Sequence, residues 1–237
     1  MNCLLLEAEE VESGLDRVRI GGRRCEHARR ILGLEPADRI RLGVIGGRIG
    51  WGRVIALTEE ALELEVTLEE EPPPKRPLCL VVALPRPPVF RRLVSTIASL
   101  GVERLLVVGT ARTERSFWQS HVIRPEAIRE RLLLGLEQAR DTRLPEVELH
   151  RYFEPLVDDV LAPQLAHCRG LLAEPSAPEA CPHAVEGPIT LFVGPEGGLV
   201  DYEVERLRGI GFEAVHLGPR ALRVEPVIPM LVGRLCP

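Results

Sequence analysis

The stretch that decides the fold is ITLFVGPEGGLVDYEVERL, residues 189–207. Four of its first five residues are apolar, Gly-Pro-Glu-Gly-Gly follows, and helix-like spacing of apolar residues begins directly afterwards. A short apolar run that ends in Gly and Pro is typical of a buried strand. The stretch therefore predicts a strand, a tight turn and a helix, with Glu196 in the turn. Taken singly, this turn could do no more than reverse the chain.

Two other apolar runs in the C-terminal half end in similar loops, GLLAEP (170–175) and EAVHLGP (213–219). They are preceded by two more apolar runs and two segments with helical spacing: LCLVVAL (78–84), RLLVVGT (104–110), 90–102 and 124–142. Apolar strands that alternate with helices indicate a parallel sheet covered on both faces. Because ligands bind beyond the carboxyl ends of such strands, the three strand-end loops predict one shared pocket.

The residues before the Pro-rich segment EPPPKRP (71–77) follow a different pattern. Four segments alternate apolar and polar side chains, which is the period of half-buried strands: 16–22, 38–47, 48–57 and 61–70. One helix is predicted at CEHARRILGL (25–34), and Gly46-Gly47 predicts a hairpin turn. We therefore predict a small β-rich, barrel-like domain at 1–73 and an α/β domain at 74–237.

Composition indicates a globular protein of the cytoplasm. The chain has 237 residues, a net charge of −5, 45% hydrophobic residues and no apolar stretch of membrane-spanning length, and its start lacks a basic leader. Six cysteines without a CxxC pair predict reduced thiols, and neither a metal-ligand cluster, a Walker A loop, a GxGxxG turn nor a GxSxG elbow is present. Nearly all cations are arginines, which favours either an RNA-binding face or a genome-wide codon bias; composition leaves both open.

One long segment, LFVGPEGGLVDYEVERLRGIGFEAVHLGPRALRVE (191–225), resembles the signature of the RsmE family. These are ribosomal RNA uridine-N3 methyltransferases of the SPOUT superfamily, with a typical form close to IGPEGGFSxxEV…GFxxVSLGxRILRTETA. Weaker similarities run upstream, in the same order as in the family: EHARRILGLEPADRIRL (26–42), IASLGVERLL (97–106) and LEQARDTRLPEV (136–147). The resemblance thus extends over most of the chain.

The resemblance implies a trefoil-knotted SPOUT methyltransferase domain behind an N-terminal, RNA-binding PUA-like β-barrel. It also implies an S-adenosyl-L-methionine-dependent enzyme that methylates N3 of a uridine in 16S ribosomal RNA, acting as a cytoplasmic homodimer without a membrane partner. Two alternatives remain open at this point. One is a divergent member with another RNA target or nucleophile, and the other is a binding protein that has lost methyl transfer.

By position, the resemblance also assigns site residues to the three loops. The expected cofactor-binding residues are Leu172, Ala173, Glu174, Val193, Gly194, Pro195, Gly197, Gly198, Leu217, Gly218, Ala221 and Leu222. Arg223 is the expected catalytic cation that stabilises charge on uridine, with Arg220 as the alternative. Glu196 is expected near the sulfonium, or ordering the loop, or facing the partner subunit. The family's two threonines are replaced by Val224 and Pro226, and Pro229 is expected to strain the helix that follows.

Overall fold

The structure is a computed structural model that describes residues 2–11 and 16–237. These residues form two compact units. The first contains the described residues up to Pro74 together with Leu133–Leu144, and the second contains Lys75–Leu132 together with Pro145–Pro237. Residues 133–144 thus group with the N-terminal segment, although they lie far from it in the sequence.

The first unit is built on a five-stranded sheet. Its strands are β1 (Leu4–Leu6), β2 (Arg17–Ile20), β3 (Arg39–Val44), β4 (Ile49–Leu57) and β5 (Leu62–Glu70), and helix α1 spans Gly22–Arg30. The sheet order is β1-β3-β4-β5-β2, with β1 parallel to β3 and the other neighbours antiparallel. Gly46 has φ +74°, a conformation that glycine adopts without steric cost, in the turn that joins β3 to β4. The four predicted strands are confirmed, and β1 is an addition. The helix predicted at 25–34 is present, but it begins at Gly22 and ends at Arg30, so the last four predicted residues lie outside it.

The second unit contains a seven-stranded sheet whose neighbouring strands are all parallel. The strands are β6 (Arg76–Ala83), β7 (Val102–Val108), β8 (Glu146–His150), β9 (Arg169–Ala173), β10 (Glu179–Ala180), β11 (Ile189–Val193) and β12 (Glu213–His216). The spatial order is β10-β12-β9-β11-β6-β7-β8. The predicted parallel sheet is confirmed.

Helices accompany this sheet. They are α2 (Pro87–Ser99), the first part of α3 (Pro125–Ala139), α4 (Asp201–Gly209) and α5 (Val224–Leu235). The residues of α3 from Leu133 onward belong to the first unit. A further helical segment consists of Phe153–Pro155, a π-helical part at Leu156–Leu161, and Ala162–Gln164. Pro229 lies inside α5 and cannot donate a backbone hydrogen bond there, yet the helix continues to Leu235.

The opening stretch of the sequence lies at the centre of the second unit's core. All five side chains of β11 are buried, because a parallel strand flanked by other strands is covered on both faces. Phe192 meets Phe153 and Phe212 edge-to-face, each with ring centroids 6.3 Å apart. Within residues 2–11 and 16–237, no helix is long and apolar enough to cross a membrane.

Candidate active site

Three neighbouring strands end at the same level of the sheet. In the strand register, Val215 of β12 is paired with Ala173 of β9, and Ala173 is paired with Val193 of β11. The next residues of each strand therefore leave the sheet side by side. This is the physical reason why loops that are distant in the sequence surround one space.

The space between these loops is a cavity of about 380 Å³. It is lined by Arg112, Ala173, Glu174, Pro175, Val193, Gly194, Pro195, Glu196, Gly197, Gly198, Leu199, Val215, His216, Leu217, Gly218, Arg220, Ala221, Leu222, Val224, Val227 and Leu231. The formal charges of the two arginines and the two glutamates in this lining cancel. Most of the other lining residues are apolar or are glycines. Such a lining suits an organic ligand that carries groups of both charges.

The middle loop, residues 194–198, is a tight turn. The Gly198 N–H donates to the carbonyl of Pro195 at 2.8 Å, and Gly198 has φ +72°. A Cβ atom at Gly194 would lie 3.2 Å from Cγ of Leu199, which is closer than packed carbon atoms normally approach. Glycine at 198 therefore permits the left-handed backbone conformation of the turn, and glycine at 194 permits the close approach of Leu199.

The two outer loops have their own internal hydrogen bonds. The Glu174 carboxylate accepts from the backbone N–H of Ser176 at 3.2 Å and from its hydroxyl at 2.9 Å. In the 216–218 turn, the Gly218 N–H donates to Nδ1 of His216 at 2.8 Å, and Gly218 has φ +113°. Both loops are thus shaped by local polar contacts.

Thirteen of the fifteen residues that the sequence assigned to the site line this cavity; Leu172 and Arg223 do not. Leu172 is fully buried in the hydrophobic core around Phe192. Arg223 is the exposed residue directly before α5, and its side chain makes no capping hydrogen bond. Whether any of the fifteen binds a cofactor or substrate stays a prediction.

Glu196, the carboxylate of the opening stretch, is exposed at the tip of the middle loop. Among the residues that the structure describes, none donates a hydrogen bond to its side chain. Ordering of the loop through backbone N–H groups is therefore not its role in this structure. Its two other expected positions, beside a bound cation or against a second subunit, remain as predictions.

Several lining residues were missed from sequence, above all Arg112. It lies in the loop after β7, a fourth strand-end loop at the same edge of the sheet. The rule that ligands bind beyond the carboxyl ends of parallel strands could have found it, because TARTERS (110–116) directly follows an apolar strand. Val227 and Leu231 were missed for a different reason: apolar residues at helical spacing carry no signal that separates a cavity wall from the core.

The match to a family model gives the class of this protein. The model described as "RNA methyltransferase domain" matches residues 71–234, which include every cavity-lining residue. Ribosomal RNA small subunit methyltransferase E of Treponema pallidum is 32% identical over 230 residues, covering 95% of this chain and 86% of the relative. Ribosomal RNA small subunit methyltransferase E 1 of Borreliella burgdorferi is 21% identical, covering 95% and 93%.

The chain belongs to the ribosomal RNA small subunit methyltransferase E family. A crystal structure of the Neisseria gonorrhoeae member, bound to S-adenosyl methionine, superposes with a TM-score of 0.78 at 22% identity. The superposition covers 98% of this chain and 95% of the Neisseria gonorrhoeae chain, so the structural similarity extends to both units. At 22% identity, this similarity is evidence for the fold alone.

Proposed function

We propose that this protein transfers the methyl group of S-adenosyl-L-methionine to N3 of a uridine in 16S ribosomal RNA. The observation that carries the proposal is the meeting of three strand-end loops in one cavity, in a chain of the ribosomal RNA small subunit methyltransferase E family. The names of its relatives and the cofactor bound to the Neisseria gonorrhoeae structure support it.

The cavity residues fit this cofactor. S-adenosyl-L-methionine carries a sulfonium cation, an ammonium, a carboxylate and an apolar adenine face, and the cavity offers charges of both signs beside apolar walls. Glu174 and Glu196 supply negative charge, Arg220 supplies positive charge, and Leu199 and Leu217 supply apolar surface. The glycines of the middle loop let a ligand approach the backbone closely, because no side chain is in the way.

When bound, the cofactor supplies an electrophilic methyl group. The protein's own part is to align the uridine and to stabilise the anion that N3 becomes on losing its proton. A guanidinium beside a carbonyl oxygen of uracil spreads that charge and lowers the pKa of the N3–H group. Arg223 is assigned this role, with Arg220 as the alternative. Arg220 lines the cavity. Arg223 is exposed, follows the lining residue Leu222 in the chain and directly precedes α5.

A trefoil knot is also part of the proposal. Strand β12 lies between β9 and β10, which are joined to each other by residues 174–178 and precede β12 in the chain. A later strand that occupies the gap between two linked earlier strands is the arrangement that a threaded chain produces. Because connections seldom thread loops, such a path is a specific character of the SPOUT class.

The assembly and the role of the first unit complete the proposal. We assign the five-stranded sheet of the first unit to a PUA-like barrel that binds RNA. We also infer a homodimer in the cytoplasm, where ribosomal RNA is found. Met230 on α5 is 49% exposed and Leu222 is 39% exposed, and a second copy would cover such apolar side chains.

The decisive experiment is methyl transfer from labelled cofactor to small ribosomal subunits that lack the modification, followed by nucleoside identification. The expected product is 3-methyluridine in 16S RNA. Label in another nucleoside would point to a divergent member of the family. Cofactor binding without transfer to any ribosomal substrate would point to a binding protein.

A further inference from the structure

The loop after β7 touches the middle loop of the cavity through one side chain. The guanidinium of Arg112 donates a hydrogen bond from Nη1 to the carbonyl oxygen of Gly197. A Cβ atom at Gly197 would lie 3.3 Å from Cδ of Arg112, and one at Gly198 would lie 3.6 Å from Nη1. The arginine therefore lies against both glycines, and at Gly197 it lies so close that a side chain would crowd it.

The position of Arg112 is in turn fixed by a buried carboxylate, Glu203. Only 3% of Glu203 is exposed. Its Oε1 accepts from the backbone N–H of Ala111 at 2.7 Å, and its Oε2 accepts from that of Val200 at 3.0 Å. One carboxylate thus joins the residue before Arg112 to the beginning of α4, which directly follows the middle loop.

Both ends of the middle loop are therefore held by groups outside it. Upstream it continues from the buried strand β11, and downstream Glu203 holds Val200. Between these points, the described residues provide one backbone hydrogen bond inside the turn, from Gly198 to Pro195. A segment with two adjacent glycines loses much conformational entropy when it is ordered, so a contact from outside has a large effect on its shape.

We propose that Arg112 is a positioning residue that holds the 194–198 loop in its cofactor-binding shape, with Glu203 as its anchor. This inference rests on the proposed function. Arg112 acts through the Gly197 carbonyl and not on the reacting atoms. Its loss should weaken binding of the methyl donor, because binding must then order the loop, and it should leave the chemical step unchanged once the cofactor is bound.

The test measures affinity and rate separately in four variants of the full chain. Arg112→Ala removes both the packing and the donor, Arg112→Met keeps the stem alone, and Arg112→Lys keeps the stem and a single-point cation. Arg208→Ala is the matched control, since Arg208 is an exposed arginine of α4 that does not line the cavity. Titration calorimetry with S-adenosyl-L-methionine gives Kd, and single-turnover transfer at saturating cofactor gives the rate.

We expect Arg112→Ala to raise Kd about 10-fold, as for loss of a hydrogen bond to a charged group at an exposed site. Arg112→Met should show most of this loss, Arg112→Lys part of it, and Arg208→Ala none. The single-turnover rate should stay within about 2-fold of wild type in all four.

Two results would overturn the inference. Unchanged Kd in Arg112→Ala would mean that the contact does not position the loop, and a single-turnover rate at saturating cofactor more than about 2-fold below wild type would make Arg112 catalytic. Glu203→Gln, which keeps the shape but replaces one acceptor by a donor, must raise Kd as well if Glu203 is the anchor. Failure of the proposed function is a separate result, because then the wild-type protein itself would bind no S-adenosyl-L-methionine or would transfer no methyl group to ribosomal RNA.

Discussion

Replacing Gly198 by alanine should weaken cofactor binding without unfolding the protein. Gly198 has φ +72°, a left-handed conformation that glycine adopts freely and that alanine adopts only at a cost. A Cβ atom there would have 3.6 Å to the nearest atom, Nη1 of Arg112, which is an ordinary contact. The effect of the substitution is therefore backbone strain and not a collision.

The strain of one L-residue in the left-handed region is roughly 1–2 kcal/mol. In the free protein the 194–198 loop can relax to another conformation, so the folded state loses less than this amount. The cofactor must then restore the original turn, and Kd should rise by roughly 5–30-fold, at 1.4 kcal/mol per factor of ten.

Gly187→Ala provides a matched control. Gly187 has φ +80°, and a Cβ atom added there would have no neighbour within 4 Å among the described residues, but Gly187 does not line the cavity. Both variants should show a similarly small fall in Tm, whereas titration calorimetry should find weaker cofactor binding in Gly198→Ala alone. Equal affinity in the two variants would refute the argument that the left-handed turn is needed for binding.

Four further predictions concern three single side chains. Arg223→Ala should lower the single-turnover rate of methyl transfer by about 10²–10³-fold with little change in cofactor Kd, because the cation acts on charge that develops in the transition state. Full activity of this variant would contradict the assignment and make Arg220 the catalytic cation. Burial raises the pKa of the Cys79 thiol from its ordinary 9.0 to about 11. At pH 8 the thiolate population of Cys79 is therefore about 100-fold lower in the folded than in the unfolded chain. A thiol reagent should label Cys79 correspondingly slowly until denaturant is added. The same shift has a stability consequence: its contribution is present below pH 9 and is lost as the pH rises toward 11, which thermal melts of wild type and Cys79→Ala should detect. Phe192→Ala should lower the free energy of unfolding by about 3–5 kcal/mol in urea denaturation, since it removes a fully buried ring with two edge-to-face neighbours; a loss below about 1 kcal/mol would contradict this packing.

The sequence predicted the elements that have strong hydrophobic periodicity. The strands of the first unit alternate, and β6, β7, β9, β11 and β12 of the second unit are short apolar runs, so both patterns could be recognised without any structure. The elements that were missed are short or mixed. β1 and β10 have three and two residues, and β8 is an edge strand with two glutamates among its five residues.

The candidate site, too, was predicted from the sequence only in part. The three Gly/Pro loops were predicted as one pocket because their strands are parallel and neighbouring, and their residues do line one cavity. The place of Arg112 beside the pocket could have been predicted, because it follows an apolar strand, but the contacts that Arg112 and Glu203 make could not be predicted from pattern. Each acts on a segment that is remote in the sequence, through a hydrogen bond to a backbone group that any residue type carries. Only the folded geometry identifies such partners.

The place of β12 between β9 and β10 has a consequence for how the protein is made. Ribosomes synthesise residues 217–231 after every other lining segment of the cavity, so a growing chain that stops short of Leu231 lacks one wall of it. The ion pair between Arg92 and Glu225 spans 133 residues, and contacts of such long range form late in folding. A nascent chain should therefore be unable to hold the methyl donor, and the enzyme becomes competent only when its last helix is released and packed.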